Sequence, residues 1–191
     1  MTAVEPESRF DPLTVLAALQ RAKVSFVLIG GIARVLRGAD EVTHGVDICP
    51  SPAAVNLSRT RAALAELQAE PVAGKQTTAG SKAAEQAIVD YNTIAGPLKF
   101  VRAPVGVPRG YQALRSGATV EHLGHGVRPA VASTADLVTM AAARGLPNDR
   151  ALLPQLRRIL QIEARTDRLV EMPTAGHEVP GPAIELAKRE L

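Results

Sequence analysis

Tryptophan is absent from this chain, aromatic residues make up 3% of it, and there is one cysteine, Cys49. A lone cysteine excludes an internal disulfide and any cysteine-based zinc cluster, and it points to a reducing cytoplasm. The shortage of aromatics leaves little surface for stacking bases. With 46% of residues apolar, the core must be built from Ala, Val, Leu and Ile. A formal charge of +3 is too small to demand a polyanionic partner, though it permits one. No run approaches the roughly eighteen consecutive apolar residues of a membrane span, and the polar, acidic start lacks a signal core. The expectation is therefore a cytoplasmic protein with no membrane partner. A length of 191 residues fits one domain with a short appendage.

One stretch organises the rest. Ser25 to Ile29 is a continuous apolar run, the pattern of a strand covered on both faces. Gly30-Gly31 then allows a sharp turn, Ala33 to Arg37 continue as a helix, and Gly38 stops it. A second strand, Val46 to Cys49, carries one carboxylate, Asp47.

Around this unit the pattern predicts alternating elements. Asp11-Pro12 starts a helix with Leu13, Leu16, Ala17 and Leu19 inward. Ser51-Pro52 starts another over Ala54 to Leu67, with Leu57, Ala63, Leu64 and Leu67 inward. Glu70 to Ser81, containing Lys75 and followed by Lys82, reads as a surface loop or flap. Ala87 to Ala95 and Leu98 to Ala103 form a hairpin turning at Gly96-Pro97, and Tyr111 to Arg115 a short helix. A second hairpin flanks Gly124-His125-Gly126. Ser133 caps a helix through Ala143, and Asn148 or Asp149 caps a last long one, Arg150 to Ala164, with Leu153, Leu156, Ile159 and Leu160 inward. Beyond Asp167, prolines and glycines mark a tail with a helical turn or two at Ile184 to Glu190. The divisions are 1–11 as a flexible N-terminus, 12–165 as the domain, and 166–191 as the tail.

The segment Leu28 to Leu67 resembles the minimal nucleotidyltransferases of the AbiEii/MenT-like family, the toxins of bacterial toxin–antitoxin pairs. Their pattern is a Gly-Gly turn, a helix ending in Gly, then Arg-x-Thr-x-Asp-x-Asp on the second strand. The likeness continues through Gly96-Pro97, Gly110-Tyr111, Asp136 to Met140 and Gly145 to Asp149, covering roughly residues 24 to 162. It implies an α/β nucleotidyltransferase (polymerase-beta-like) fold: a short mixed sheet flanked by helices, with a C-terminal helical part. It further implies NTP and tRNA acceptor ends as ligands, Mg²⁺ as the cofactor of an active member, and an antitoxin as partner. By position, Gly30, Gly31, Arg34 and Thr43 fall to nucleotide binding, and Asp47 to catalysis and the metal. Two Asp at alternate strand positions and a third on a neighbouring strand hold two Mg²⁺ ions in such enzymes.

Here the scaffold is kept and the chemistry is depleted. The first metal Asp is Gly45, the Arg before Thr43 is Glu41, and the third carboxylate, expected after Gly96-Pro97, is Lys99. A Lys after Met140 is Ala141, the Arg of the late turn is Leu146, and a further acidic position is Leu152. Since phosphoryl-type transfer is mostly positioning and charge stabilisation, loss of the metal clamp should cost on the order of a thousandfold or more in rate. The expectation is a catalytically impaired member, with Lys99 standing electrostatically for a cation in a nucleotide-binding pocket.

Two alternatives remain: an active enzyme with a rearranged site, pairing Asp47 with Asp90 or Asp149, and a noncatalytic RNA- or protein-binding module. The second would use the acid-poor basic segment holding Lys99, Arg102, Arg109 and Arg115. A buried carboxylate held by the glycine turn is the plain reading of Asp47, and a buried inert thiol that of Cys49. His122 and His125 have ligand-like spacing but read as solvated turn residues, and His44 should point away from Asp47.

Overall fold

The computed structural model describes residues 10–72 and 88–171. The expected flap therefore lies largely outside the described residues, as do Lys75, Lys82 and the helical turn of the tail.

The chain begins with α1, Pro12–Arg21, whose start is set by Asp11. The Asp11 carboxylate accepts hydrogen bonds from the Leu13 and Thr14 N–H groups at 3.1 and 3.2 Å. Its apolar stripe is wider than the sequence pattern predicts, with Val15 and Ala18 buried beside Leu16 and Leu19. Strand β1, Phe26–Ile29, runs into α2, Gly30–Leu36, and then β2, Val46–Pro50. Helix α3 spans Ala54–Glu66, and β3, Glu70–Pro71, starts the segment expected to be loop. Strands β4, Ile88–Thr93, and β5, Gly96–Val101, make the first hairpin.

After β5 come α4, Tyr111–Gly117, and the short strands β6, Thr119–Val120, and β7, Ala130–Val131. Helix α5, Thr134–Arg144, is capped by the Ser133 hydroxyl, which accepts from the Asp136 N–H at 3.1 Å. Helix α6, Pro147–Glu171, is 25 residues long.

The strands form one mixed sheet in the order β3-β4-β5-β2-β1-β7-β6. The pairs β2–β5 and β1–β7 are parallel and the other four antiparallel, and every residue of central β1 is buried, as its unbroken apolar run requires. Helix α1 packs on α3 and β5, while α2 packs on β1, β2 and α5. Among the described residues this is a seven-stranded α/β sheet flanked by helices with a helical C-terminal part. Leu16, Leu19, Leu28, Ile48, Leu98 and Leu114 are nearly or fully inaccessible. Each such side chain contributes about 1.5–3 kcal/mol. A separate small core of Ala39, Ala141 and Leu156 joins α5 to α6.

Several local expectations are corrected. The β4–β5 turn is at Ile94-Ala95, and Gly96 and Pro97 belong to β5, because the Thr93 hydroxyl closes the turn by donating to the Gly96 carbonyl at 2.6 Å. Leu57 is 48% exposed, since Asn56 turns inward instead. The Asn56 amide oxygen accepts from the Ser25 N–H at 2.7 Å, and its nitrogen donates to the Ser25 and Ser51 carbonyls at 3.0 Å. The last helix starts earlier and ends later than predicted. Pro147 opens it, and Asp149 sits in its first turn paired to Arg144 instead of capping it.

Candidate functional site

The glycine turn builds the site from its backbone. Gly30 has φ +70°, a left-handed conformation that L side chains rarely adopt. A Cβ there would stand 2.0 Å from Asp47 Oδ2. Gly31 is equally confined, because a Cβ on it would reach Thr43 Oγ1 at 2.5 Å. The two glycines therefore let the Asp47 carboxylate and the Thr43 hydroxyl lie directly on the turn. The sequence-derived group Gly30, Gly31, Thr43 and Asp47 is brought together.

Asp47 lies between two partners in register. Ile29 of β1 pairs with it on one side and Lys99 of β5 on the other. Lys99 is in turn opposite Asp90 of β4. The row Asp47–Lys99–Asp90 thus crosses three strands, with Lys99 Nζ 3.7 Å from Asp90 Oδ1. Two strand spacings put the carboxylate-bearing backbones about 10 Å apart, with an ammonium between them. Asp90 Oδ1 is buried without a hydrogen-bond partner among the described residues. Gly45 points toward Pro97, where an added Cβ would meet the carbonyl oxygen at 3.3 Å.

The surrounding charges are mostly spoken for. Arg34 forms a forked ion pair with Glu41, Nε to Oε2 at 2.7 Å and a terminal nitrogen to Oε1 at 2.6 Å. Both side chains are largely buried. Arg144 grips the buried Asp149 in the same two-pronged way, its Nε 2.7 Å from Oδ2. Burial pushes the Asp47 carboxyl above its ordinary range, against the pull of Lys99, Arg144 and Arg34, and Asp90 adds to the upward shift. Burial would also lift Asp149, but the Arg144 hydrogen bond and charge, with Arg34 and the Leu146 N–H, bring it below the ordinary value. Arg144 is correspondingly raised, first by its hydrogen bond to Asp149.

This donor set does not fit a pair of divalent ions. Mg²⁺ takes oxygen ligands in near-octahedral geometry and resists giving up water. Here the position next to Asp47 in the ladder is a cation, and Asp149 is committed to Arg144. Among the described residues no three His, Cys, Asp or Glu side chains gather as a metal-binding group. His122 is no exception, since its Nε2 accepts from the Arg128 guanidinium at 3.1 Å.

The basic segment does not present one face. Lys99 belongs to the Asp47 row, Arg102 and Arg109 line one cavity, and Arg115 lines another. Cys49 is fully buried, and burial pushes its thiol up to about 12.

Sequence reasoning missed the roles of Arg144 and Arg37. Arg37 donates to the Ala132 and Val131 carbonyls at 2.9 Å, to Glu121 Oε1 at 3.0 Å and to Thr119 Oγ1 at 2.8 Å. Those acceptors lie more than 80 positions away, so no local pattern announces them.

Among the described residues, no helix is long and apolar enough to cross a membrane. No protein-family profile and no curated protein matches the chain. A similar solved structure is that of the antibiotic-resistance factor ANT(2'')-Ia, at 14% identity and a TM-score of 0.48, covering 82% of this chain and 91% of that one. A likeness at that level carries no functional inference.

Proposed function

We propose that this protein is a nucleotidyltransferase-type protein of impaired catalysis that holds a nucleoside triphosphate at the Gly30-Gly31 turn. The single observation behind this reading is the register pairing of Asp47 with Lys99, which puts a lysine where the resemblance calls for a metal-binding carboxylate. The Lys99 side chain is 43% exposed and lies 3.7 Å from Asp90, a loose contact that leaves its charge available to a phosphate. Lys99 then supplies in place the positive charge that a metal would otherwise bring. Asp47, without a second carboxylate in register, orients the turn and does not hold ions. The ligand class, NTP with an RNA end as the second party, comes from the sequence resemblance, as does the antitoxin partner.

Two assays test this. Incubation with labelled NTPs, Mg²⁺ or Mn²⁺ and total tRNA should transfer no label, and transfer abolished by Asp47→Ala would overturn the impaired-enzyme reading. Titration with a fluorescent ATP analogue in excess chelator should show saturable binding that weakens about tenfold in Lys99→Ala, the loss expected of one charge-assisted hydrogen bond. Binding that needs a divalent ion, or survives Lys99→Ala undiminished, would remove Lys99 from its role.

A further inference from the structure

A cavity of about 660 Å³ lies beyond the far end of β2 and β5 from Gly45, between the first turns of α3 and the connection from β5 to α4. That volume is typical of small-molecule sites, roughly 300–1,000 Å³. Its walls are aliphatic and aromatic: Pro50, Pro52, Leu57, Phe100, Val107 and Pro108. Phe100 follows Lys99 on β5 and so faces the opposite side of the sheet, which separates this cavity from the Asp47 row. Leu57 was expected in the core; it lines the cavity and is nearly half exposed.

Beside the neutral Ser51, Asn56, Thr60 and Tyr111, the charged lining has one sign. Arg102 and Arg109 line the cavity and are exposed, and neither guanidinium has a hydrogen-bond or ion-pair partner among the described residues. No described Asp or Glu lines it. Arg109 also holds φ +77°, a backbone state that costs a non-glycine residue about 1 kcal/mol or more and recurs at ligand sites. The arginines packed into the fold around the sheet behave differently. Arg34, Arg37 and Arg144 each fork onto carboxylates or carbonyls. Two unengaged guanidiniums beside an apolar, ligand-sized hollow are complementary to a molecule with an apolar body and an anionic end.

We infer that this cavity binds a small amphipathic anion, an aliphatic chain carrying a terminal carboxylate that Arg102 and Arg109 receive while the chain lies against Leu57, Phe100 and the prolines. The guanidinium fork matches a carboxylate in two parallel hydrogen bonds. The chain would displace water from the apolar part of the wall, which offers it no hydrogen bonds.

Calorimetric titration of the full chain with decanoate, decyl phosphate and decyltrimethylammonium tests the inference. Saturable decanoate binding is expected, with none for the cationic analogue. Decyl phosphate binding at least tenfold tighter than decanoate would reassign the headgroup to a phosphate and overturn the carboxylate. Arg102→Ala and Arg109→Ala should each weaken decanoate about tenfold. Leu57→Trp, at an exposed helix position that tolerates a larger side chain, should fill the hollow and abolish binding while the far-ultraviolet dichroism stays unchanged. Absence of saturable binding, equal binding of the cationic analogue, or indifference to both arginine replacements and to Leu57→Trp would each overturn it. Nucleotide binding at the glycine turn does not enter this test, so either proposal can fail alone.

Discussion

Asp47 and Lys99 face one another across the parallel ladder of β2 and β5, a carboxylate and an ammonium at neighbouring positions on one face of the sheet. The pair is unequal. Asp47 is pressed against the Gly30 backbone, whereas Lys99 is 43% exposed and also within reach of Asp90. The cation can therefore turn toward a ligand while the anion cannot, and most of the site's behaviour follows from that difference.

Asp47 should cost stability when charged. Its folded-state carboxyl is raised, chiefly by burial, so its contribution is complete below the ordinary carboxylate value and is lost as pH rises through the higher folded value. Asp47→Asn is expected to be more stable than the natural chain at neutral pH, with the advantage fading under acid conditions. Denaturant unfolding at the two pH values measures it. A destabilised Asn variant at neutral pH would contradict the argument.

The Arg144–Asp149 pair works in the opposite sense. Asp149 is lowered, so its contribution is present above the ordinary carboxylate value and lost as pH falls through the lower folded one. Arg144→Ala strands a buried carboxylate at the start of α6. Because Arg144 is itself 40% exposed, solvent moderates the cost to about 1–2 kcal/mol. The gap to the natural chain should narrow in acid.

Gly30→Ala should be among the most damaging single-methyl changes. It combines a left-handed φ with a Cβ placed 2.0 Å from Asp47 Oδ2, for a cost of about 2 kcal/mol or more. Placing the same change in an Asp47→Gly background removes the clash and leaves the backbone strain. A double-mutant cycle should then return a favourable coupling; simple additivity would mean the turn and Asp47 do not touch.

Arg37 ties α2 to the β6–β7 edge through two carbonyls, a carboxylate and a hydroxyl. Arg37→Lys should recover little of what Arg37→Ala loses, because an ammonium cannot reproduce the planar fork. Both variants should lower the melting midpoint by several degrees, since about 1 kcal/mol corresponds to about 2–4 °C at this size.

Cys49 should resist alkylation in the native protein at mildly alkaline pH and react on unfolding. Burial both blocks access and pushes the thiol to about 12. Iodoacetamide labelling read by mass spectrometry distinguishes the two states.

The sequence by itself determined the elements whose signals are local. The unbroken apolar run of β1, the glycine turn into α2, and the Asp11 and Ser133 caps all emerge from neighbouring residues, because strand burial, left-handed turns and helix caps are decided within a few positions. That Lys99 takes the place of the third carboxylate was implied by the family resemblance alone, and its pairing with Asp47 is a long-range register between β2 and β5. Only the tertiary structure decided which charges meet. Arg34 is bound to Glu41 and Arg144 to Asp149, which removes two cations and two carboxylates from the site before any ligand arrives. It also moved Leu57 from the core to a cavity wall and split the basic segment among separate surfaces. Those outcomes depend on sheet order and helix packing, which bring distant residues within hydrogen-bond reach, and nothing in the spacing along the chain encodes them.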